Sequence, residues 1–123
     1  MAKPGNTGIT RLLNATRYSA QGIASAWKSE EAFRQELTLM MLMIPAAFWL
    51  GRSAVEYALL IGSCLLVVIV ELLNSAVESV VDRISNEIHP LAGQAKDMGS
   101  AAVLFSLLTV ISTWGLIAME RFG

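Results

Sequence analysis

Five polar side chains recur inside the apolar stretch VELLNSAVESVVD at residues 70–82: Glu71, Asn74, Ser75, Glu78 and Asp82. Counted from Glu71, the steps are 3, 4, 7 and 11, and each returns to one face of an α-helix. A helix here presents a single polar stripe, with Val70, Leu72, Leu73, Val77, Val80 and Val81 on its other side. Glu71 directly follows the run LLIGSCLLVVIV, so it stands at membrane depth. A carboxylate placed there costs roughly 2.5–3.5 kcal/mol even on lenient scales, which is why such residues face a bundle interior and mark function. Farther out, Asp82 fits equally well as a solvated side chain on a helix emerging into water.

The spacing also separates roles. Glu71 and Glu78 stand seven residues apart, about 10 Å along a helix axis, too far to share one divalent ion readily. A carboxylate held away from water is a stronger proton acceptor, so Glu71 suits a general base. The shallower Glu78 suits a hydrated Mg²⁺ that carries phosphate groups. Three more acidic residues, Glu30, Glu31 and Glu36, open the first long apolar stretch, and Lys96–Asp97 opens the last. Glu87 and His89 fall between the second and third stretches. As a lone histidine, His89 reads by default as a polar loop residue. No Cys or second His stands at zinc-ligand spacing from it.

These side chains need elements that hold them in a membrane. The chain has 123 residues, of which 54% are hydrophobic and 15% charged, with a mean hydropathy of +0.56. A water-facing domain this small has too much surface to hide so much apolar area, whereas a bilayer removes that burden. The net charge of −1 says little about partners, but the lack of a basic block gives no footing for nucleic acid. The single cysteine, Cys64, allows no internal disulfide and reads as packing. No cleaved signal peptide and no lipidation motif are expected.

The expected fold is all-α, one domain over 1–123. Ile9, Leu12, Leu13, Ile23 and Trp27 share a stripe opposite Arg11, Asn14, Arg17, Gln21 and Lys28. That pattern predicts an amphipathic helix over 9–28, capped near Thr10, lying in the membrane interface. Helices over 31–50, 54–84 and 92–120 are expected to carry three spans, the first bent by Pro45. Residues 51–53 form a turn, and 85–95 a connection broken by Pro90 and Gly93. Seven of the nine Lys and Arg residues, all but Arg52 and Arg121, fall on the side of the N-terminus and the second connection. The positive-inside rule therefore places both in the cytoplasm. Small residues at Gly99, Ser100, Ala101, Ala102 and Ser106 allow close helix contact. Trp49 and Trp114 are expected to anchor the far leaflet edge.

No phosphate-binding glycine loop and no protein-kinase signature is present. Physics alone stops at a polar site on the cytoplasmic half of a three-span protein. Three stretches carry the reading further: EAFRQE at 31–36, VELLNSAVESVVDR at 70–83 and AKDMGSAAV at 95–103. In these the chain resembles the integral-membrane prokaryotic diacylglycerol kinases along essentially its whole length. The most specific pattern is the one from Glu71 to Glu78.

The resemblance implies a homotrimer in the bacterial inner membrane, with active sites shared between subunits. It implies MgATP as phosphate donor, diacylglycerol as acceptor and phosphatidic acid as product. It implies Glu71 as catalytic base with Asn74 beside it, and Glu30 and Glu78 as Mg²⁺ ligands. ATP contacts would come from Arg11, Tyr18, Glu30, Glu78, Glu87, His89, Lys96 and Asp97. The lipid side would be lined by Ala32, Phe33, Arg34, Gln35, Glu36, Glu71 and Ser100. Glu31 adds a second negative charge beside Glu30, leaving open which of the two takes metal. An undecaprenol kinase of the same fold would share the stripe and differ on its lipid-facing surface. A non-catalytic scaffold would use Glu71 and Glu78 only as interhelical hydrogen-bonding groups, and a transporter would use Glu71 as a proton relay.

Overall fold

The computed structural model describes residues 7–84 and 89–123. All regular structure among them is helical: α1 (Gly8–Ser29), α2 (Glu31–Leu50), α3 (Ala54–Ile84) and α4 (Pro90–Phe122). α3 and α4, of 31 and 33 residues, are long and apolar enough to cross a membrane. At 1.5 Å per residue they measure about 46 and 50 Å, well beyond a hydrocarbon core of about 30 Å. Their polar ends therefore project past it. α2 has 20 residues and carries Glu31, Arg34 and Glu36 in its first two turns.

α3 is the central helix. It packs extensively on α4 and α2 and touches α1. Met40, Cys64, Val67 and Val110 form one buried cluster, and Ala47, Leu50 and Leu60 another. Trp114 packs against both, and its indole Nε1 donates to the Leu60 carbonyl at 3.2 Å. Trp114 is thus a helix-to-helix tie between α3 and α4. A buried indole N–H seeks a fixed acceptor, and the Leu60 carbonyl supplies one. Trp49 is exposed, stacks on Phe122 and lies under the Arg121 guanidinium. Arg121 Nη1 also reaches the Leu50 carbonyl at 3.5 Å, closing the C-terminal end of α2.

The joints are short and chemically specified. Only Glu30, in extended backbone, separates α1 from α2. Its N–H still donates to the Ala26 carbonyl at 2.9 Å. Arg34 Nη1 reaches back to the carbonyls of Trp27 at 2.7 Å and Lys28 at 3.3 Å, placing a cation on the C-terminal end of α1. At the start of α3, Ser53 Oγ accepts from the Glu56 N–H at 3.2 Å and Glu56 Oε1 accepts from the Arg52 N–H at 3.0 Å. This is a close variant of the capping box. A Cβ on Gly51 would sit 2.6 Å from the Tyr57 ring, so only glycine fits there.

Two helix starts differ from expectation. Thr7, not Thr10, is the N-cap residue of α1, and it makes no side-chain cap bond. α4 begins at Pro90, two residues before the expected start at 92, with His89 as N-cap accepting from the Leu91 N–H at 3.0 Å. Proline breaks a helix interior but is pre-shaped for the first helical position, where its missing N–H costs nothing. The connection shortens accordingly, and Gly93 lies inside α4.

Replacing Trp114 with Phe keeps most of the ring and removes the donor to Leu60. The expected loss is about 0.5–1.5 kcal/mol of stability, read as an earlier midpoint in a denaturant titration of the micelle-bound protein. An unchanged midpoint would refute the tie.

Candidate active site

Glu71 is 4% exposed on α3. The charges of Glu36 on α2, Glu78 on α3 and Glu30 at the α1–α2 joint all reach it. Three elements therefore place three further carboxylates within electrostatic reach of Glu71, although sequence alone links only Glu78 to it. The polar stripe turns inward as its spacing predicts. Glu71 is buried, Asn74, Ser75 and Glu78 are half-buried, and Asp82 is exposed. On the other side of α3, Leu73 and Val80 are exposed.

Asn74 connects the stripe. Its Nδ2 donates to Glu78 Oε1 at 3.2 Å, which orients the Glu78 carboxylate. Its Oδ1 is buried without a hydrogen-bond partner and faces Gly99 on α4, where an added Cβ would collide with it. Gly99 thus lets α4 approach the stripe closely. The second carboxyl oxygen of Glu36, Oε2, is likewise buried and unpartnered. Buried polar atoms left unmatched in this way are rare; among the described residues Arg121 Nε, at the far end of α4, is a third. Lys96 on α4 closes the outer end, with Nζ 2.7 Å from Asp82 Oδ1.

Among the described residues no three His, Cys, Asp or Glu side chains surround a common point as a metal cage would. Mg²⁺ needs no such cage. It keeps most of its water and is commonly held by one or two carboxylates together with substrate phosphates. Glu78, with its remaining oxygen, and Glu30 fit that pattern, and the charge of both already reaches Glu71.

The other expected site residues divide into near and far. Arg34 is engaged at the end of α1. Phe33 is 1% exposed and belongs to the packed interior, so it does not face lipid within this chain. Ala32, Gln35 and Ser100 are exposed, and Gln35 Nε2 lies 3.4 Å from Glu31 Oε1. A shallow, open groove of about 450 Å³ runs along Trp27, Arg34, Gln35, Thr38, Leu39 and Leu42. Asp97 is exposed beside Lys96. His89 is occupied as an N-cap. Tyr18 lies beside the Arg17 guanidinium. Arg11 and Tyr18 sit about 28 and 18 Å along α1 from Glu30, so the fold does not gather them with the carboxylates in this chain. Glu87 lies outside the described residues.

Two features escaped the sequence reading. A groove of about 310 Å³ separates Gly22, Ser25 and Ser29 of α1 from Ser75, Ala76 and Ser79 of α3. The small-residue spacing on α1 was its available signal. An apolar cleft of about 350 Å³ opens between Val81, Ile84, His89, Leu91, Ala92 and Ala95. It depends on α4 starting at Pro90, which sequence spacing placed later.

Known proteins match this sequence along most of its length. Residues 17–118 match the family described as prokaryotic diacylglycerol kinase. A diacylglycerol kinase of Escherichia coli is 50% identical over 117 residues, covering 95% of this chain and 96% of the relative. Diacylglycerol kinases of Haemophilus influenzae and Pseudomonas aeruginosa are 54% and 52% identical, over 89% and 94% of this chain and 92% and 94% of their own lengths. The chain is therefore a member of the prokaryotic diacylglycerol kinase family.

Proposed function

We propose that this protein is a lipid kinase that transfers the γ-phosphate of MgATP to the free hydroxyl of 1,2-diacylglycerol, giving phosphatidic acid and ADP. The observation that carries the reading is the burial of Glu71 at the deep end of the α3 stripe, with Asn74, Glu78 and Lys96 following toward the outer end. A lipid hydroxyl cannot leave the bilayer and a nucleotide cannot enter it. A base at the deep end and phosphate-binding groups at the outer end suit a reaction at that boundary.

In this reading the lipid oxygen attacks the γ-phosphorus. The new O–P bond forms as the bond to the β–γ bridging oxygen breaks, ADP leaves, and Glu71 takes the hydroxyl proton. Asn74 orients Glu78 through the Nδ2 bond. Glu78 and Glu30 would hold Mg²⁺, which supplies neutralising charge on the β- and γ-phosphates. Lys96 and Asp97 bind the nucleotide, with Arg11, Tyr18, Glu87 and His89 as further contacts. Phosphoryl transfer is mostly positioning and charge stabilisation, so this sparse set is chemically sufficient. Ala32, Arg34, Gln35, Glu36 and Ser100 line the lipid approach, where the groove beside α2 runs.

We take α2, α3 and α4 as three spans of the bacterial inner membrane, with the N-terminus and the 85–89 connection in the cytoplasm. The Lys and Arg distribution supports that orientation. α1 exposes Ile9, Leu12, Leu13, Ile23 and Trp27, as an interface helix does. A homotrimer accounts for two further features. α4 exposes Leu104, Phe105, Leu108 and Ile111, and Arg11 and Tyr18 lie far from their own chain's carboxylates. A neighbouring subunit's α1 would bring those residues to the site.

Three outcomes test the reading in lipid-containing micelles. Glu71→Gln keeps the shape and cannot take the proton. Phosphate transfer to diacylglycerol is expected to fall about 10²- to 10⁴-fold, with helical circular dichroism unchanged. Full activity in that variant would return Glu71 to a structural role. Faster transfer to undecaprenol than to diacylglycerol by the wild type would keep the chemistry and change the substrate. Glu78→Gln is expected to raise the Mg²⁺ concentration for half-maximal activity by tenfold or more, about 1.4 kcal/mol of lost binding. An unaltered Mg²⁺ requirement would remove Glu78 from the metal site.

A further inference from the structure

Lys96 has two anionic neighbours on α3. Its Nζ lies 2.7 Å from Asp82 Oδ1, and the charge of Glu78 also reaches it. Glu78 and Asp82 are four residues apart on one helix face, about 6 Å along the axis. The ammonium thus stands near two carboxylates of one row and pairs with the outer one.

That pairing does little for stability. The side chains are 46% and 65% exposed, and an exposed ion pair contributes about 0–1 kcal/mol. What the pair settles is where a mobile charge rests. Lysine is a compact charge on a flexible four-carbon stem, free to turn toward whichever anion is nearest. Without Asp82, the carboxylate left within its field on α3 is Glu78. An ammonium there would compete for the oxygens that a divalent cation requires.

We propose that Asp82 is a positioning residue: it holds Lys96 Nζ outward, which leaves the Glu78 carboxylate to a divalent cation and keeps the ammonium available to phosphate. This role rests on the kinase reading for its purpose. Asp82 acts through Lys96 and touches no reacting atom.

Mn²⁺ alone, followed by electron paramagnetic resonance on the full-length protein in micelles, reads the carboxylates without turnover. Wild type, Asp82→Asn, Lys96→Met and the double variant form a cycle that isolates the coupling. Asp82→Asn is expected to weaken Mn²⁺ binding about two- to fivefold, the range an exposed ion pair spans. In the Lys96→Met background the same change is expected to lose most of that effect. Asp82→Glu, which keeps the charge, is expected to restore binding. Equal weakening in both backgrounds would make Asp82 a mere contributor of bulk charge and overturn the proposal. No weakening in either, or a wild type that binds no Mn²⁺, would overturn it too. Phosphate transfer by the wild type, assayed alongside, judges the kinase reading separately. Transfer without coupling sinks the positioning role alone, and coupling without transfer sinks the kinase reading while the shielding of Glu78 stands.

Discussion

A carboxylate on a membrane helix has to be shielded from hydrocarbon, and much of this fold answers that requirement for Glu71. The stripe on α3 faces inward because its alternative is lipid. α4 closes over the stripe because Gly99 offers no Cβ to Asn74. α2, packed on α3, brings Glu36, and the α1–α2 joint, tied by Arg34 to the end of α1, brings Glu30. The apolar clusters around Cys64 and Leu60 hold these helices in register. They lie toward the other end of α3, so packing and chemistry occupy separate lengths of the same helices.

This division gives the site its character. Four acidic side chains share one region, and the nearby cation, Lys96, is committed to Asp82. Such a concentration of negative charge resists closing on itself. It is suited to a visiting cation that arrives with its own ligands, in keeping with the coordination habits of Mg²⁺. Two acceptors in the same region, Asn74 Oδ1 and Glu36 Oε2, are buried without a hydrogen-bond partner.

Much of this was legible from residue types and spacing. The steps of 3, 4, 7 and 11 from Glu71 identify the stripe because helix geometry leaves no other face for them. The same periodicity marks α1, and the lengths of the apolar runs mark α3 and α4. What sequence could not supply was approach across helices. Nothing in the spacing ties Glu36 to Glu71, or Lys96 to Asp82, since each pair spans separate elements. Trp114 shows the same limit: an indole near a helix end suits either a membrane interface or a buried acceptor, and only the packing of α4 on α3 reveals the Leu60 carbonyl. Pro90 misled for a related reason: its effect depends on position in the helix, and the first position reverses it.

The one-residue joint at Glu30 has a mechanical consequence. α1 is a rod of 22 residues, about 33 Å long, attached by a single extended residue and pinned at its near end by Arg34. Swinging the rod by about 10° would carry its far tip through about 6 Å, while the Glu30 carboxylate, at the pivot, would hardly shift. Such a swing would displace the outer half of α1 and leave the acidic cluster in place. In such a swing the joint would act as a decoupler, with the travel at the tip and the fulcrum nearly still.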